Sequence, residues 1–341
     1  MKVRAKAPLR LGLAGGGTDV SPYSDTYGGC VLNATIDLYA SCTIETREDW
    51  RTEFQAKDLG GHYEGPAQPR IPVEGELKLH KAIYNRIVRD FNKGAPIGCT
   101  VTTFSDAPPG SGLGTSSTMV VAILSAWAEL LRLPLGEYDV ARLAYEIERK
   151  DCALSGGKQD QYAATFGGFN FMEFGAADKT IINPLRVREH IANELHARML
   201  LYFTGRSRES ARIIDDQIQA VKSEGSKSVD SMHELKRIAF EMKERLLMND
   251  VDGVAQLFRE SWEAKKRMAS SISNAHIDQV AERAMGAGAQ AVKVSGAGGG
   301  GFMMIFVDPV TKLDVIRALG DEDGYFVKFN FTSEGAQAWT V

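Results

Sequence analysis

Cysteine is scarce in this chain: four residues in 341, at positions 30, 42, 99 and 152, with no C-x-x-C pair. That excludes a disulfide framework and a cysteine-based zinc site, and it suits a reducing compartment. The six histidines form no metal-spaced pair and H-E-x-x-H is absent, which sets zinc hydrolases aside. A basic excess is missing too. With 40 Lys and Arg against 44 Asp and Glu, the net charge is −4 and no Lys/Arg block stands out, so no nucleic-acid partner is expected. The longest apolar run, Met119 to Leu131, is too short for a bilayer and contains Glu129. Lys2, Arg4 and Lys6 precede an apolar stretch that Arg10 interrupts and glycines end, so no secretory core forms. A soluble cytoplasmic protein without a membrane partner is the expectation.

What is present is apolar material for real cores, 44% of the residues, in a chain longer than one core usually sustains. Two domains are expected, 1–190 and 191–341, divided near residues 184–198. Val3–Leu13, Val31–Thr35, Tyr39–Thr46 and Phe169–Phe174 read as strands, and Ser116–Arg132 and Asp139–Asp151 as helices. After a strand at Met199–Phe203, helical patterns run from Ser210 to Ala287. A β-α-β finish follows: strands at Ala291–Val294 and Phe302–Val307, a helix at Val310–Leu319 and a strand at Tyr325–Phe331. Strands and helices gathered in blocks argue for an α+β protein. Lys57–Gly75 reads as a long loop.

Three glycine-rich loops punctuate this order. The first, Ala7 to Val20, follows a strand and ends in Thr18 and Asp19, which suit sugar hydroxyls; a turn with Asp19 as helix N-cap fits the same residues. The second, P-P-G-S-G-L-G-T-S-S from Pro108 to Ser117, places glycines and hydroxyls before an apolar helix. Glycine backbone amides and a helix N-terminus together favour an anion, phosphate above all. It is not a Walker loop, which needs a Lys here, and not a dinucleotide fingerprint, because Thr115 stands at the third glycine position. The third loop, Ser295 to Phe302, contains a literal G-x-G-x-x-G at Gly296, Gly298 and Gly301. A strand rather than a helix follows it, so a dinucleotide site is excluded and a glycine hairpin over a ligand, or a plain hairpin, remains.

Between the second and third loops lie Glu148, at a helix end, and Asp160, just past Gly156-Gly157 with Lys158 two residues before it. A carboxylate near a Lys can deprotonate a hydroxyl, and a carboxylate with a hydroxyl such as Ser116 can hold Mg²⁺. Taken singly, each acid is more often a surface charge.

In order and across nearly the whole length, these motifs resemble those of the GHMP-superfamily small-molecule kinases. The second loop follows P-x-x-x-G-L-x-S-S-A except for Thr115 and Ser117, and Lys293 to Gly301 matches K-x-S-G-A-G-x-G-G. A-P-L-R-L-G-L-A-G-G-G-T-D, V-L-N-A-T-I-D, G-G-K-Q-D-Q-Y-A-A-T-F-G-G-F-N-F and F-T-G-R-S-R-E-S-A are similar to the heptose kinases within it. Galactokinases usually carry G-E-H-T-D where this chain has G-G-G-T-D, which counts against galactose.

The resemblance implies a two-domain fold, an N-terminal mixed α/β ATP-binding domain and a C-terminal ferredoxin-like α+β domain. It implies ATP-dependent phosphorylation of the anomeric hydroxyl of D-glycero-D-manno-heptose 7-phosphate, giving the 1,7-bisphosphate for nucleotide-activated heptose and surface polysaccharide. L-Fucokinase- and galactokinase-type activities, or a non-catalytic phosphosugar-binding protein, are the alternatives. ATP is the implied co-substrate, with Pro109, Gly110, Ser111, Gly112, Leu113, Gly114, Thr115, Ser116 and Ser117 around it. Ser116 and Glu148 would hold Mg²⁺, Glu146 fitting less well. Asp160 would be the acid/base, and Arg10 would balance charge at the transferring phosphoryl group. Thr18, Asp19, Lys158, Arg206, Arg208, Gly298 and Gly299 would bind the phosphorylated sugar. Arg206 and Arg208 are equally well read as solvated surface residues. The adenine pocket has no firm sequence marker beyond the stretch from Trp50 to Tyr84, and a monomer or homodimer is expected.

Overall fold

The computed structural model describes residues 1–205, 210–223 and 226–341. The chain opens with seven strands: β1 (Lys2–Ala14), β2 (Gly29–Thr46), β3 (Arg51–Ala56), β4 (Gly61–Pro66), β5 (Cys99–Ser105), β6 (Phe169–Phe174) and β7 (Thr180–Pro184). β8 (Met199–Phe203), β9 (Ala289–Val294), β10 (Phe302–Val307) and β11 (Tyr325–Val327) make a second sheet, and β12 (Gln337–Thr340) comes last. The first sheet runs β12-β1-β2-β5-β3-β4, with β6 paired to β2 and β7 to β6. Its pairs are antiparallel except β3 with β5.

The second sheet is antiparallel in the order β11-β8-β10-β9, so its fourth, first, third and second strands lie side by side. With the long helices between β8 and β9 and the helix Lys312–Ala318 before β11, this is the β-α-β-β-α-β ferredoxin-like arrangement. The strands of the second sheet begin at Met199, after β7 ends at Pro184. β12, however, returns to pair with β1, Val3 opposite Thr340, so the end of the chain belongs to the first sheet.

β1 explains how the halves join. From Lys2 to Lys6 it alternates, with Val3 and Ala5 buried and Arg4 exposed, as a strand with one covered face must. From Ala7 onward every residue is buried because both faces are covered. Val3, Ala5 and Ala7 share a core with Val120, Ile123 and Trp127 of the helix Thr115–Leu131. Leu9, Leu11 and Leu13 share another with Phe258, Phe302 and Phe306 of the C-terminal half. One strand is thus the seam of two cores.

The predicted strands at 31–35 and 39–46 are a single strand, β2, whose partner β1 slips register at Pro8/Leu9 and so bends it without a break. The stretch expected as a loop, Lys57–Gly75, holds β4, half of a hairpin with β3. The predicted helix 139–151 changes type: Glu137–Glu146 is α-helical and Ile147–Asp151 is a π-turn, closed by Cys152 N–H donating to the Ile147 carbonyl. Among the described residues no helix is long and apolar enough to cross a membrane.

Candidate active site

A cavity of about 700 Å³ opens where the glycine loops converge, bordered by Arg10, Asp19, Gly114, Ser116, Glu148 and Asp160 among others. Its floor is the second loop. Gly114 precedes the helix Thr115–Leu131 with φ 78°, and no side chain caps that helix. The first-turn N–H groups of a helix have no intrahelical acceptor, so they remain available to a ligand. Pro109, Gly110, Gly112, Thr115, Ser116 and Ser117 all line the cavity. Two residues of the predicted cradle do not. Ser111 is fully buried with its hydroxyl against Thr115 Oγ1 at 3.1 Å, and Leu113 points into the core.

The third loop buttresses the second. A Cβ on Gly112 would stand 2.4 Å from the Ser295 carbonyl oxygen, so only glycine permits this approach. The Gly112 carbonyl accepts from Ser295 Oγ at 2.9 Å and Arg10 Nη1 at 2.6 Å, and the Phe302 N–H donates to the Ser111 carbonyl at 2.8 Å. Gly296 and Ala297 reach the cavity. Gly298 and Gly299, expected at the substrate, are buried against Ile272 instead, the Gly299 N–H donating to its carbonyl at 2.8 Å. Their backbone is spent inside the C-terminal half.

Arg10 and Asp160 meet from opposite ends of the N-terminal half. Arg10, on β1, is 4% exposed and donates from Nε to Asp160 Oδ1 at 2.8 Å, with Nη2 2.7 Å from the same oxygen. Asp160 lies in the first turn of the helix Gln159–Phe166 and keeps 24% of its side chain exposed to the cavity. Across from it, Glu148 is buried by the π-turn. Its Oε1 accepts from Ser116 Oγ at 3.0 Å, and its Oε2 from Gln161 Nε2. No basic group of the described residues lies within 4.0 Å of it. A buried carboxylate with only neutral donors leaves its charge for a cation, and an all-oxygen Ser116–Glu148 pair suits Mg²⁺. Among the described residues no cluster of three or more His, Cys, Asp or Glu adds to it.

Asp19 lines the cavity and also holds it together. Its Oδ2 accepts from the N–H groups of Lys158 at 2.9 Å and Gln159 at 3.1 Å, and its Oδ1 from the Gly17 N–H at 3.2 Å and Gln159 Nε2 at 3.4 Å. It thereby fixes the segment that carries Asp160. Thr18, expected to bind sugar, faces inward. Its hydroxyl is fully buried between the Gly15 and Cys30 carbonyls, at 2.8 and 2.9 Å, and accepts from the Cys30 N–H. Lys158 is a second correction. Its ammonium turns away to Asp178 at 3.0 Å and Asp25 at 3.7 Å, lining a separate cavity of about 130 Å³. Arg206 and Arg208 lie outside the described residues, and none of the cavity's lining comes from Trp50 to Tyr84.

The structure adds residues that motifs did not reveal. Arg149 clamps the loop before Asp160, donating to the Leu154 carbonyl at 3.1 Å and the Gly157 carbonyl at 3.0 Å. Lys265, on the helix Val251–Lys266, lines the cavity and donates to the Gly296 carbonyl. Burial lowers its pKa to about 8, with Arg10 acting in the same direction and Asp19 and Asp160 opposing. Lys293 lies deeper, donating to the Leu13 carbonyl at 2.6 Å and the Gly12 carbonyl at 3.2 Å, and burial holds its pKa well below the usual lysine range. One signal pointed to Lys265: at i, i+3, i+4 spacing it shares a face with Val254, Leu257, Phe258, Ser261 and Trp262, all buried.

Comparison with known proteins agrees with this geometry. Residues 78–168 match the GHMP kinases N terminal domain and residues 233–325 the GHMP kinases C terminal model. The D-glycero-alpha-D-manno-heptose 7-phosphate kinase of Campylobacter jejuni is 48% identical over 339 residues, covering 99% of both chains. The crystal structure of a D-glycero-D-manno-heptose 1-phosphate kinase from Bacteroides thetaiotaomicron superposes with a TM-score of 0.85 at 48% identity, covering 99% of each chain. A putative sugar kinase from Campylobacter jejuni superposes at 0.84 with 48% identity, over 100% of this chain and 98% of its own. Galactokinase from Lactococcus lactis, at 17% identity and a TM-score of 0.77 over 98% and 95% of the two chains, shares the fold. The bifunctional fucokinase of Arabidopsis thaliana is 27% identical over 95% of this chain, which spans 32% of that protein. With both halves of the family model matched in order on a two-sheet α+β scaffold, the chain belongs to the GHMP kinases.

Proposed function

We propose that this kinase transfers the γ-phosphoryl group of ATP to the anomeric hydroxyl of D-glycero-D-manno-heptose 7-phosphate, giving the 1,7-bisphosphate and ADP. The observation that carries the chemistry is the Arg10–Asp160 pair set directly beside the uncapped helix start at Gly114 on the wall of one cavity. The choice of sugar is supported by the heptose 7-phosphate kinase of Campylobacter jejuni, 48% identical over the full length.

In this reading the loop Pro109 to Ser117 cradles the phosphates of ATP. Ser116 and Glu148 would hold a Mg²⁺ ion, which would neutralise phosphate charge. Asp160 Oδ2 takes the proton of the anomeric hydroxyl, whose oxygen forms a bond to the γ-phosphorus while the bond to the bridging oxygen of ADP breaks. An anomeric hydroxyl is more acidic than an ordinary alcohol, so a modest base suffices. Arg10 fixes the carboxylate and offsets charge at the transfer point, because phosphoryl transfer depends chiefly on positioning and electrostatics. Asp19 receives a sugar hydroxyl in place of its longest contact, the one from Gln159 Nε2 at 3.4 Å. Arg206 and Arg208 are further candidates for the sugar phosphate; a rise in KM for it in Arg206→Ala or Arg208→Ala is their test. The product would feed nucleotide-activated heptose for surface polysaccharide.

A coupled ADP-release screen tests the assignment across heptose 7-phosphate, heptose 1-phosphate, unphosphorylated heptose, L-fucose and galactose. Preference for the 7-phosphate is expected. The 1-phosphate is included because the Bacteroides relative carries that name. Activity confined to fucose or galactose overturns the reading.

A further inference from the structure

We propose, resting on the function above, that Lys265 is the receptor for the phosphate that the acceptor sugar already carries. Three cations border the cavity near the transfer point, and two are committed. Arg10 is taken by Asp160 and the Gly112 carbonyl, and Arg149 by the Leu154 and Gly157 carbonyls. The Lys265 ammonium is not. It is 4% exposed, its one hydrogen bond among the described residues goes to the neutral Gly296 carbonyl, and no described carboxylate lies within 4.0 Å. An ammonium has three donors and loses most of its hydration when buried. Such a charge, facing a cavity with donors to spare, is arranged for an anion that arrives with the ligand.

Its position selects between the two phosphates in the reaction. The donor side is built from Gly110 to Ser117 with Glu148, and the transfer point lies at Arg10 and Asp160. Lys265 borders the transfer point through Gly296, which packs on Gly112, and reaches from there over the first glycine loop on the side of Asp19. A Cβ built on Gly16 would meet only Lys265 Nζ and Gln159 Nε2, each at 3.7 Å. The space beside Gly16 is therefore bordered by an ammonium and an amide, both donors. A methyl there would stand in ordinary contact with both nitrogens, and glycine leaves them uncovered on that side. A phosphate oxygen on these nitrogens would lie near Gly17 and Asp19, which line the cavity, reached by a sugar whose far end carries the phosphate while its anomeric end meets Asp160.

Steady-state kinetics on D-glycero-D-manno-heptose 7-phosphate and on the same heptose without phosphate provide the test. The quantity read is the ratio of the two kcat/KM values. Lys265→Met should lower that ratio by about a hundredfold, through KM for the phosphorylated sugar, as loss of one partner of a buried charged contact does. Lys265→Arg should restore part of it. Gly16→Ala, whose new methyl meets nothing closer than 3.7 Å and so leaves the fold intact, should lower the ratio about tenfold by covering the two nitrogens on that side. It stands in should Lys265→Met fail to fold. A wild-type ratio in these variants, or equal loss of kcat on both sugars, overturns the assignment of Lys265. Wild-type enzyme without activity on the 7-phosphate overturns the proposed function first, a result visible before any variant is made.

Discussion

Arg10 grips Asp160 by a single oxygen. Both guanidinium contacts, at 2.8 and 2.7 Å, converge on Oδ1, and no described residue donates a hydrogen bond to Oδ2. A Cβ on Gly114 would lie 3.2 Å from Oδ2, so that oxygen looks toward the head of the phosphate loop. One oxygen is anchored and the other is left to carry a proton.

Asp160→Asn should therefore lower kcat by about a thousandfold, the scale of a lost general base. ATP binding, followed by calorimetry, should persist because the phosphate loop is untouched. Turnover at the wild-type rate would show that another group takes the proton.

Gly114→Ala combines two faults. The residue sits at φ 78°, and the added carbon would lie 3.1 Å from Asp160 Cγ. A side chain in the left-handed region costs about 1–2 kcal/mol before any contact is counted. A lowered thermal midpoint together with a reduced kcat is the expected pair of results; loss of stability alone would mean that Asp160 yields without consequence.

Glu148→Gln keeps the shape of a buried side chain and removes its charge. The Mg²⁺ concentration giving half-maximal rate should rise by at least about tenfold, as loss of a metal contact does. An unchanged magnesium titration would remove Glu148 from the metal site.

Lys265 makes the enzyme sensitive to pH in two ways. Its pKa is lowered to about 8 by burial and Arg10, with Asp19 and Asp160 opposing, and Lys293 lies near enough to be affected in turn. Below about pH 8 the ammonium is present for the sugar phosphate, so KM for heptose 7-phosphate should climb as pH rises through 8. In Lys265→Arg that climb should vanish, because a guanidinium does not titrate there.

Stability runs the opposite way. The folded pKa of about 8 lies below the ordinary 10.5, so the unfolded chain binds the extra proton between those values and stability rises with pH across them. At neutral pH the protonated lysine burdens the unliganded fold. Lys265→Met should raise its thermal midpoint at pH 7, and the advantage should shrink by about pH 10. Melting curves at the two pH values check the sign.

Much of the site was legible because its residues are tied to backbone geometry that few sequences need. Gly112, Gly114 and Ser116 stood out as glycines and hydroxyls placed before a helix, a combination that favours an anion, and the structure brings them together with Asp160 and Glu148. The misplacements have a common cause. Thr18 and Lys158 lie on loops next to cavity residues, and direction on a loop is set by long-range partners. For Thr18 these are carbonyls of Gly15 and Cys30; for Lys158 they are Asp178 and Asp25. Gly298 was read from a motif whose outward half is only Gly296 and Ala297. Lys265 belongs to no motif, and only its place on the buried face of a helix betrays it. In the fold, β6, β8 and β10 were readable as apolar runs, whereas β3, β4 and β5 mix polar and apolar residues because one face meets solvent. β12 was invisible: its partner lies at the other end of the chain.

That last pairing separates the order of synthesis from the order of assembly. β1, which carries Arg10, leaves the ribosome before the other described strands, yet Gln337–Thr340, which covers its outer edge, is made after the strands and helices of the second sheet. Until then β1 offers the nascent chain an open edge beside β2, where unpaired N–H and C=O groups recruit strands from other chains. The exposed Arg4 and the adjacent Lys2 and Lys6 place positive charge along that edge, which discourages such pairing while the proper strand is still being built.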